Sequence, residues 1–299
     1  MNTGSIAVVI PTYNRRDLLA RSLDSVLSHP ELPVEVIVVD DCGTDGTAEM
    51  LRDRYPGVLY LRAERNGGPC AARNLGLERV VSAWAIMLDD DDELVEGALS
   101  TVAERVASLP GAERYPVVQF RASNGNLADE FVVLTLADIL SGKTSGDFTA
   151  VVNTSAWREG GWRYDTGTRV PSEHFTWWRI ARAVGLPTWK APIVNVGQDA
   201  PDRLTGAARQ MRDPRGFAEL QEATLKEFLP ELAAHPAAWR QRVLGAATYR
   251  LLAGDRQAAR RHLSALRTGR LDRVALGLWA LSFAPLTVAR WAFTRFRAG

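Results

Sequence analysis

Cysteine is nearly absent: Cys42 and Cys70 are the only two in 299 residues. Two thiols give neither a disulfide framework nor a four-cysteine zinc site. Excess charge is absent as well. The 36 basic and 35 acidic residues leave a net +1, which removes any general electrostatic reason to expect nucleic acid as a partner. Neither GxGxxG nor GxxxxGK[ST] occurs, which speaks against a Rossmann dinucleotide site and a Walker-type ATPase. The first residues, MNTGSIAVVIPTYN, lack a basic segment followed by an apolar one, so a cytoplasmic location is expected. The one long uncharged stretch, Val274–Ala289, has 16 residues and contains Pro285. A membrane-spanning helix needs roughly 20. Lysine occurs three times, at Lys143, Lys190 and Lys226, so arginine carries nearly all the positive charge.

The remaining composition, 46% hydrophobic and 24% charged, is that of a folded chain with room for one large or two ordinary domains. The first hundred residues alternate between two periodicities. Ile6–Ile10, Val34–Val39, Val58–Leu61 and Trp84–Leu88 are short apolar runs that read as buried strands, the first stopped by Pro11. Between them, helical spacing appears in Leu18–Leu27, after Thr44-Asp45-Gly46-Thr47, and over Ala71–Val81; Leu94–Ser108 follows the last strand. This alternation predicts βαβ units and an open parallel sheet. Val117–Phe120 and Phe131–Leu134 read as further strands, and Phe175–Val184 as a helix. Beyond about residue 202 the pattern is helical: Pro214–Phe228, Pro236–Ala253 and Asp255–Leu266.

Three polar clusters fall just after strands: Pro11–Asn14, Asp40–Gly43 and Asp89–Asp92. In open α/β sheets ligands bind outside the carboxyl ends of strands, so these clusters are expected to share one crevice. Four adjacent carboxylates repel one another unless a cation or solvent relieves them. Hard ions such as Mg²⁺ and Mn²⁺ take carboxylate oxygens and keep positions for substrate phosphates. A solvated acidic turn opening the next helix is the plainer account. Asp40 and Asp41 could accept from a base imide or a ribose hydroxyl, or could cap the Thr44 helix. Asn66-Gly67-Gly68-Pro69 is a glycine turn entering a small-residue helix whose N-terminus, with Arg73, could meet phosphate oxygens. Glu173 precedes an aromatic helix (VPSEHFTWWR), where desolvation would raise its pKa and suit a general base; a plain helix-start glutamate beside Ser172 reads the same way. His174 is read as structural.

Together these residues resemble the family 2 glycosyltransferases of the GT-A fold. The matching elements, in order, are Val9–Arg15, Val38–Thr47, Asn66-Gly67-Gly68 with Ala72–Gly76, and Leu88–Asp92 in place of the family's DxD. The resemblance is dense over residues 5–110, loose over 150–200, and lapses beyond about 205. It implies an α/β fold: a Rossmann-like open mixed sheet with helices on both faces, followed by an all-α C-terminal extension. The implied divisions are a nucleotide-sugar-binding half (1–110), an acceptor-binding and catalytic half (111–204) and a helical region (205–299).

The activity implied is inverting transfer of a sugar from a nucleotide diphosphate, a UDP-sugar, to a hydroxyl of a carbohydrate, glycolipid or small molecule, dependent on Mg²⁺ or Mn²⁺. By the same resemblance Pro11, Thr12, Tyr13 and Asp40 hold the nucleobase. Arg73 approaches the diphosphate, Asp89 and Asp90 lie on the donor, and Asp91 ligates the metal, with Asp89 and Asp199 as further candidates. Asp92 resembles the extra acidic residue that often follows the motif. Counting back from Arg179, the family's Glu-Asp pair falls on Ser172 and Glu173, which makes Glu173 the base and Asp165 the fallback. Members often carry a histidine some twenty residues later; Val194–Asp199 has none, leaving Asn195 or Asp199 in its place.

Other readings stay open. From Trp239 to Gly299 there are 12 arginines against two acidic residues, Asp255 and Asp272. This basic tail and the apolar Val274–Ala289 suit a polyprenyl-phosphate sugar transferase at a membrane surface; a carboxylate base argues against it, since a phosphate nucleophile needs none. The same stretch is either a buried C-terminal helix or a peripheral membrane contact over residues 270–297. A nucleotidyltransferase would want a basic, glycine-rich loop after the first strand, and a non-catalytic nucleotide-binding protein would have no need of Asp40, Arg73, Asp89 and Asp91 together.

Overall fold

The first apolar run becomes β1 (Ile6–Thr12), buried at every residue. The computed structural model describes residues 5–29, 32–168, 170, 172–198, 207–266 and 272–297. Pro11 does not end the strand, as the sequence suggested, but pairs in register with Val39 of β2 (Val34–Asp40). Alternate residues of a parallel strand bond to alternate neighbours. Pro11 shares the side of Val9, whose carbonyl accepts from Leu88 beyond the end of β4 (Trp84–Met87). At Pro11 that neighbour has already left the ladder, so the N–H that proline lacks has no partner to lose.

Between these strands lie α1 (Arg16–Leu27), α2 (Thr47–Arg54), β3 (Leu59–Arg62) and α3 (Pro69–Arg79). After β4 come β5 (Glu93–Leu94), α4 (Ala98–Ala107), β6 (Val117–Ala122), β7 (Asn126–Leu127), β8 (Phe131–Leu134), α5 (Leu136–Leu140) and β9 (Thr144–Ser145). The unit is completed by β10 (Phe148–Asn153), α6 (Thr154–Glu159), α7 (His174–Ala183) and β11 (Leu186–Asn195). The nine-stranded sheet has the order β3-β2-β1-β4-β10-β6-β11-β5, with β8 pairing β11 at the side. It is mixed. β3, β2, β1 and β4 run parallel, while β10 is antiparallel to both β4 and β6. The parallel arrangement expected of the first hundred residues holds for their four strands, the mixed sheet expected of the whole holds too, and β11 runs parallel to β6. The strand order reverses between β1 and β4: the chain leaves β1 toward β2 and β3, then returns to β1's other side. That is the switch point at which open sheets bind ligands.

The core on one face joins Val8, Ile10, Leu19, Leu23, Val38 and Ile86 with Leu99, Val102 and Phe120. Burial of each such side chain contributes about 1.5–3 kcal/mol. On the other face α3 lies against β1 and β2 through Gly76. A Cβ there would stand 2.5 Å from Val9 Cγ1 and 3.1 Å from Val39 Cγ2, so the helix approaches this closely because that position is glycine.

Packing divides the chain into two units, Met1–Thr166 with Glu173–Ala200 and Gly167–Ser172 with Pro201–Gly299. The second is helical where described: α8 (Ala207–Arg212), α9 (Pro214–Glu227), α10 (Leu229–Ala233), α11 (Pro236–Leu252), α12 (Arg256–Ser264), α13 (Arg273–Leu281) and α14 (Leu286–Arg297). Asp213 caps α9 through Gly216 N–H at 3.1 Å, with Pro214 at the first helical position. Glu222 ties α9 to its neighbours, accepting from Arg250 at 2.8 and 2.6 Å and pairing with His262 at 2.8 Å. The stretch Val274–Ala289 is not one buried helix. It spans α13 and the start of α14, and α13 has no buried residue.

Gly76→Ala should lower the urea midpoint by the equivalent of about 1–2 kcal/mol, overpacking outweighing the ~1 kcal/mol of helix propensity that alanine adds. Gly277→Ala in α13, where a Cβ would meet nothing within 4 Å, should leave the midpoint unchanged or raise it. Equal midpoints for the two variants would refute the close-approach role of Gly76.

Candidate active site

The loops that follow β1, β2 and β4 meet at the switch point and divide the carboxylates among different partners. Asp90 turns inward. Its Oδ2 accepts from Thr12 Oγ1 at 2.8 Å and its Oδ1 from Arg15 Nη1 at 3.0 Å, so it ties the end of β4 to the end of β1. Burial raises its pKa to about 6, with Arg15 and Thr12 opposing. Asp92 accepts from Gly197 N–H at 2.9 Å. Burial, then repulsion from Asp89, raises its carboxyl to about 7, Asp91 adding a smaller push. A Cβ on Gly197 would lie 2.0 Å from the carbonyl oxygen of Asp91, so the segment after β11 seats on the aspartate turn through a glycine. Asp91 stands 3.6 Å from Arg15 Nη1, and Asp89, 52% exposed at its side chain, pairs with Arg73.

The two aspartates after β2 are structural in different ways. Asp40 is buried and accepts from Gly43 N–H at 2.6 Å, Tyr60 Oη at 2.8 Å and Arg62 Nη1 at 3.2 Å. Asp41 receives Gly67 N–H at 2.8 Å and Gly68 N–H at 2.7 Å, one on each oxygen. The glycine turn before α3 thus donates these two groups to a carboxylate of the chain rather than offering them to a phosphate. The helix after Asp41 is capped instead by Asp45, through Thr47 N–H at 3.2 Å. Asn14 (φ 53°) and Cys42 (φ 70°) are the non-glycine residues with left-handed backbone among those described. Asn14 Oδ1 accepts from Thr44 N–H at 2.7 Å, which locks the β1 and β2 loops together.

Arg73 joins the two sides of the site. Its guanidinium is buried, pairs with Asp89, and sits 2.8 Å from Glu173 Oε1. Burial disfavours its charge, but Glu173 and Asp89 outweigh that and raise its pKa further. Arg73 lies over the Tyr164 ring at 5.7 Å, and Tyr164 meets Trp177 edge-on at 5.3 Å. Trp177 Nε1 donates to Glu173 Oε2 at 3.2 Å. The pKa of Glu173 is raised, by burial first and by Asp89, with Arg73 and the Trp177 N–H opposing. Its side chain keeps 36% exposure, and each oxygen accepts one of these bonds while retaining a second lone pair. Burial raises the Cys70 thiol to about 12, so no thiolate nucleophile is present.

Asp89, Asp91, Arg73 and Glu173, all named from the sequence, are brought into one neighbourhood. Pro11 and Thr12 lie inside β1, and Tyr13 is exposed beyond it. Asp165 is held by Arg179 at 3.0 Å, and Asn195 ends β11 exposed. Asp199 lies outside the described residues. Arg15, Tyr60, Arg62, Trp177 and Gly197 were not singled out for these roles. Trp177 stands four residues after Glu173, a spacing that brings side chains together on a helix start; nothing in the sequence marks Gly197. A cavity of about 290 Å³ lies elsewhere in this unit, lined by Asn74, Leu77, Trp157 and Trp162. The aspartates do not line this cavity.

The donor set suits a hard divalent cation. Asp90 and Asp91 lie against Arg15 and Asp89 against Arg73, which is also shared with Glu173, so acidic groups outnumber these two cations. Among the described residues no three His, Cys, Asp or Glu side chains already form a cage. Mg²⁺ and Mn²⁺ commonly use one or two protein carboxylates and complete the shell with phosphate oxygens and water.

A glycosyltransferase of Bacillus subtilis assigned to teichuronic acid biosynthesis, TuaG, is 33% identical over 159 residues, 50% of this chain and 62% of its own length. The match therefore spans just under two thirds of that relative. S. aureus TarS 1–349 in complex with UDP-GlcNAc has a TM-score of 0.58 at 16% identity, over 95% of this chain and 81% of that one. The mannosyltransferase PcManGT of Pyrobaculum calidifontis, in complex with GDP-Man and Mn²⁺, gives 0.57 at 17%, over 96% and 86%. At such identities the likeness establishes the fold, a mixed open α/β sheet of GT-A type. Residues 7–120 match the glycosyl transferase family 2 profile, so the likeness to this family lies in the first part of the sheet unit.

Proposed function

We propose that the protein transfers a sugar from a nucleoside diphosphate, read as a UDP-sugar, to a carbohydrate hydroxyl, with inversion at the anomeric carbon and with Mg²⁺ or Mn²⁺. The observation that carries this reading is the single guanidinium of Arg73 held between Asp89 on the donor side and Glu173 on the other. A leaving diphosphate and an attacking hydroxyl need the groups so juxtaposed: positive charge where negative charge develops, and a base across from it. The complex of TarS with UDP-GlcNAc and that of PcManGT with GDP-Man support a nucleotide-sugar donor. The likeness to TuaG supports an acceptor in a bacterial surface polysaccharide.

Asp91, with Asp89, would hold the divalent ion, which when bound supplies Lewis-acid charge to the diphosphate. Arg73 adds fixed positive charge without reorganisation, since its ring and carboxylate neighbours already orient it. Glu173 takes the hydroxyl proton through a free lone pair as the oxygen attacks opposite the diphosphate. No covalent intermediate is required, and the protonated Cys70 could not form one. Thr12, Arg15 and Asp90 hold the ends of β1 and β4 together beneath the donor.

Calorimetric titration with UDP should show binding with Mn²⁺ that is abolished by EDTA and by Asp91→Ala. Absence of binding by UDP, dTDP and GDP under both conditions would sink the donor site. Glu173→Gln should reduce kcat about 10²- to 10⁴-fold, the usual weight of a general base, and shift donor affinity far less, through the shared Arg73; a large fall in donor affinity with kcat preserved would count against the assignment. The pH profile gives a further test. Glu173 must be ionised to act, and its pKa is raised, so kcat should fall on the acid side at a pH above the ordinary carboxylate range. Trp177→Phe removes a donor that favours the charged form, so the acid limb should move to higher pH. A limb that stays in place would show that Trp177 does not hold the base.

A further inference from the structure

The helical unit ends in a surface that the transferase chemistry does not use. Of the twelve large apolar side chains exposed among the described residues, five fall between Val274 and Trp291: Val274, Leu276, Phe283, Val288 and Trp291. Phe283 and Trp291 are each 62% exposed. The inner faces of both helices are already occupied: Leu278 and Leu281 of α13 pack with Leu251, Ala259 and Ala289, and Phe293 of α14 packs with Ala218, Tyr249 and Leu252. The exposed side chains, with Phe283 in the turn between the two helices, are therefore not an unfinished core.

This exposed surface is basic as well as apolar. Residues 273–297 include four arginines and no carboxylate. Arg273, Arg290 and Arg295 are exposed beside the apolar side chains. Each large aromatic carries a guanidinium: Arg260 lies 4.3 Å over the Phe283 ring, and Arg295 lies 5.5 Å over the Trp291 ring. Among the described residues no helix is long and apolar enough to cross a bilayer. An aromatic-and-aliphatic stripe flanked by arginines is what a helix lying in the headgroup layer presents, its rings at the acyl boundary and its cations on the phosphates. A second copy of the chain fits worse, because a twofold contact would bring these arginines against each other with no acidic residue between 273 and 297 to pair them.

We infer that the outer face of α13 and α14 is a docking surface for an anionic lipid bilayer. The anchoring side chains are Val274, Leu276, Phe283, Val288 and Trp291, and Arg273, Arg290 and Arg295 engage the lipid phosphates. The contact is peripheral and reversible.

Vesicle flotation with the full chain tests this. It should float with vesicles of phosphatidylcholine and phosphatidylglycerol at low salt, stay behind with phosphatidylcholine alone, and be released by high salt. Each arginine near an anionic surface contributes about 1 kcal/mol, a factor of about five. Arg273→Gln with Arg295→Gln should then lower the partition coefficient about 25-fold. Trp291→Ser should lower it without changing the salt dependence, since it removes apolar anchoring alone. All three positions are exposed, so circular dichroism should be unchanged, and the salt release on the unaltered chain needs no substitution. Equal flotation with neutral vesicles, no flotation with anionic ones, or undiminished binding by the double variant would each overturn the proposal. So would a concentration-dependent dimer that Trp291→Ser dissociates, which would assign the face to a second copy.

Discussion

Repulsion among four consecutive carboxylates is the constraint around which the first unit is organised. A strand that ends in Asp89–Asp92 cannot spread its charge along a helix face, so the surroundings disperse it. Arg15 and Thr12 draw Asp90 under the end of β1. Gly197 brings a backbone N–H to Asp92. Arg73 reaches Asp89 from α3. Each partner comes from a different segment, and satisfying the four side chains fixes how those segments approach one another. Asp91 stands 3.6 Å from the same Arg15 guanidinium that Asp90 uses.

The same residue type thereby acquires several functions. Asp41 is an internal anion that closes the glycine turn. Asp40 anchors Gly43, Tyr60 and Arg62. Asp90 is a strut, and Asp89 and Asp91 face the crevice. The distinctions come from burial and from which N–H or guanidinium lies nearest, which is why carboxylates a few residues apart have such different proton affinities.

Much of this was legible in the chain, though unevenly. β1 and β2 are β-branched runs and β4 is an apolar one, each followed by polar residues, so half of the sheet and the nearness of these polar ends could be read directly. β10 was not, because FTAVVN has no flanking helix pattern to mark it, and its antiparallel direction is a matter of tertiary pairing. β11 contains Pro187, Pro192 and Lys190, which disguise a ten-residue strand; its irregular register absorbs them. Glu173 could be placed by its aromatic neighbourhood, but its partnership with Arg73 joins positions 100 apart and has no local signature. The C-terminal stretch left two accounts open because hydropathy does not say which side of a helix is already packed.

Because Arg73 is shared, the two halves of the crevice are linked in the thermodynamic sense. Whatever engages Asp89 weakens its hold on the guanidinium and leaves more of that positive charge to Glu173. Whatever neutralises Glu173 returns the charge to Asp89. A coupling of this kind is reciprocal by necessity. Filling one half of the site must change the affinity of the other by the same factor as the reverse order would, with the shared guanidinium of Arg73 and the direct repulsion between Asp89 and Glu173 as the carriers.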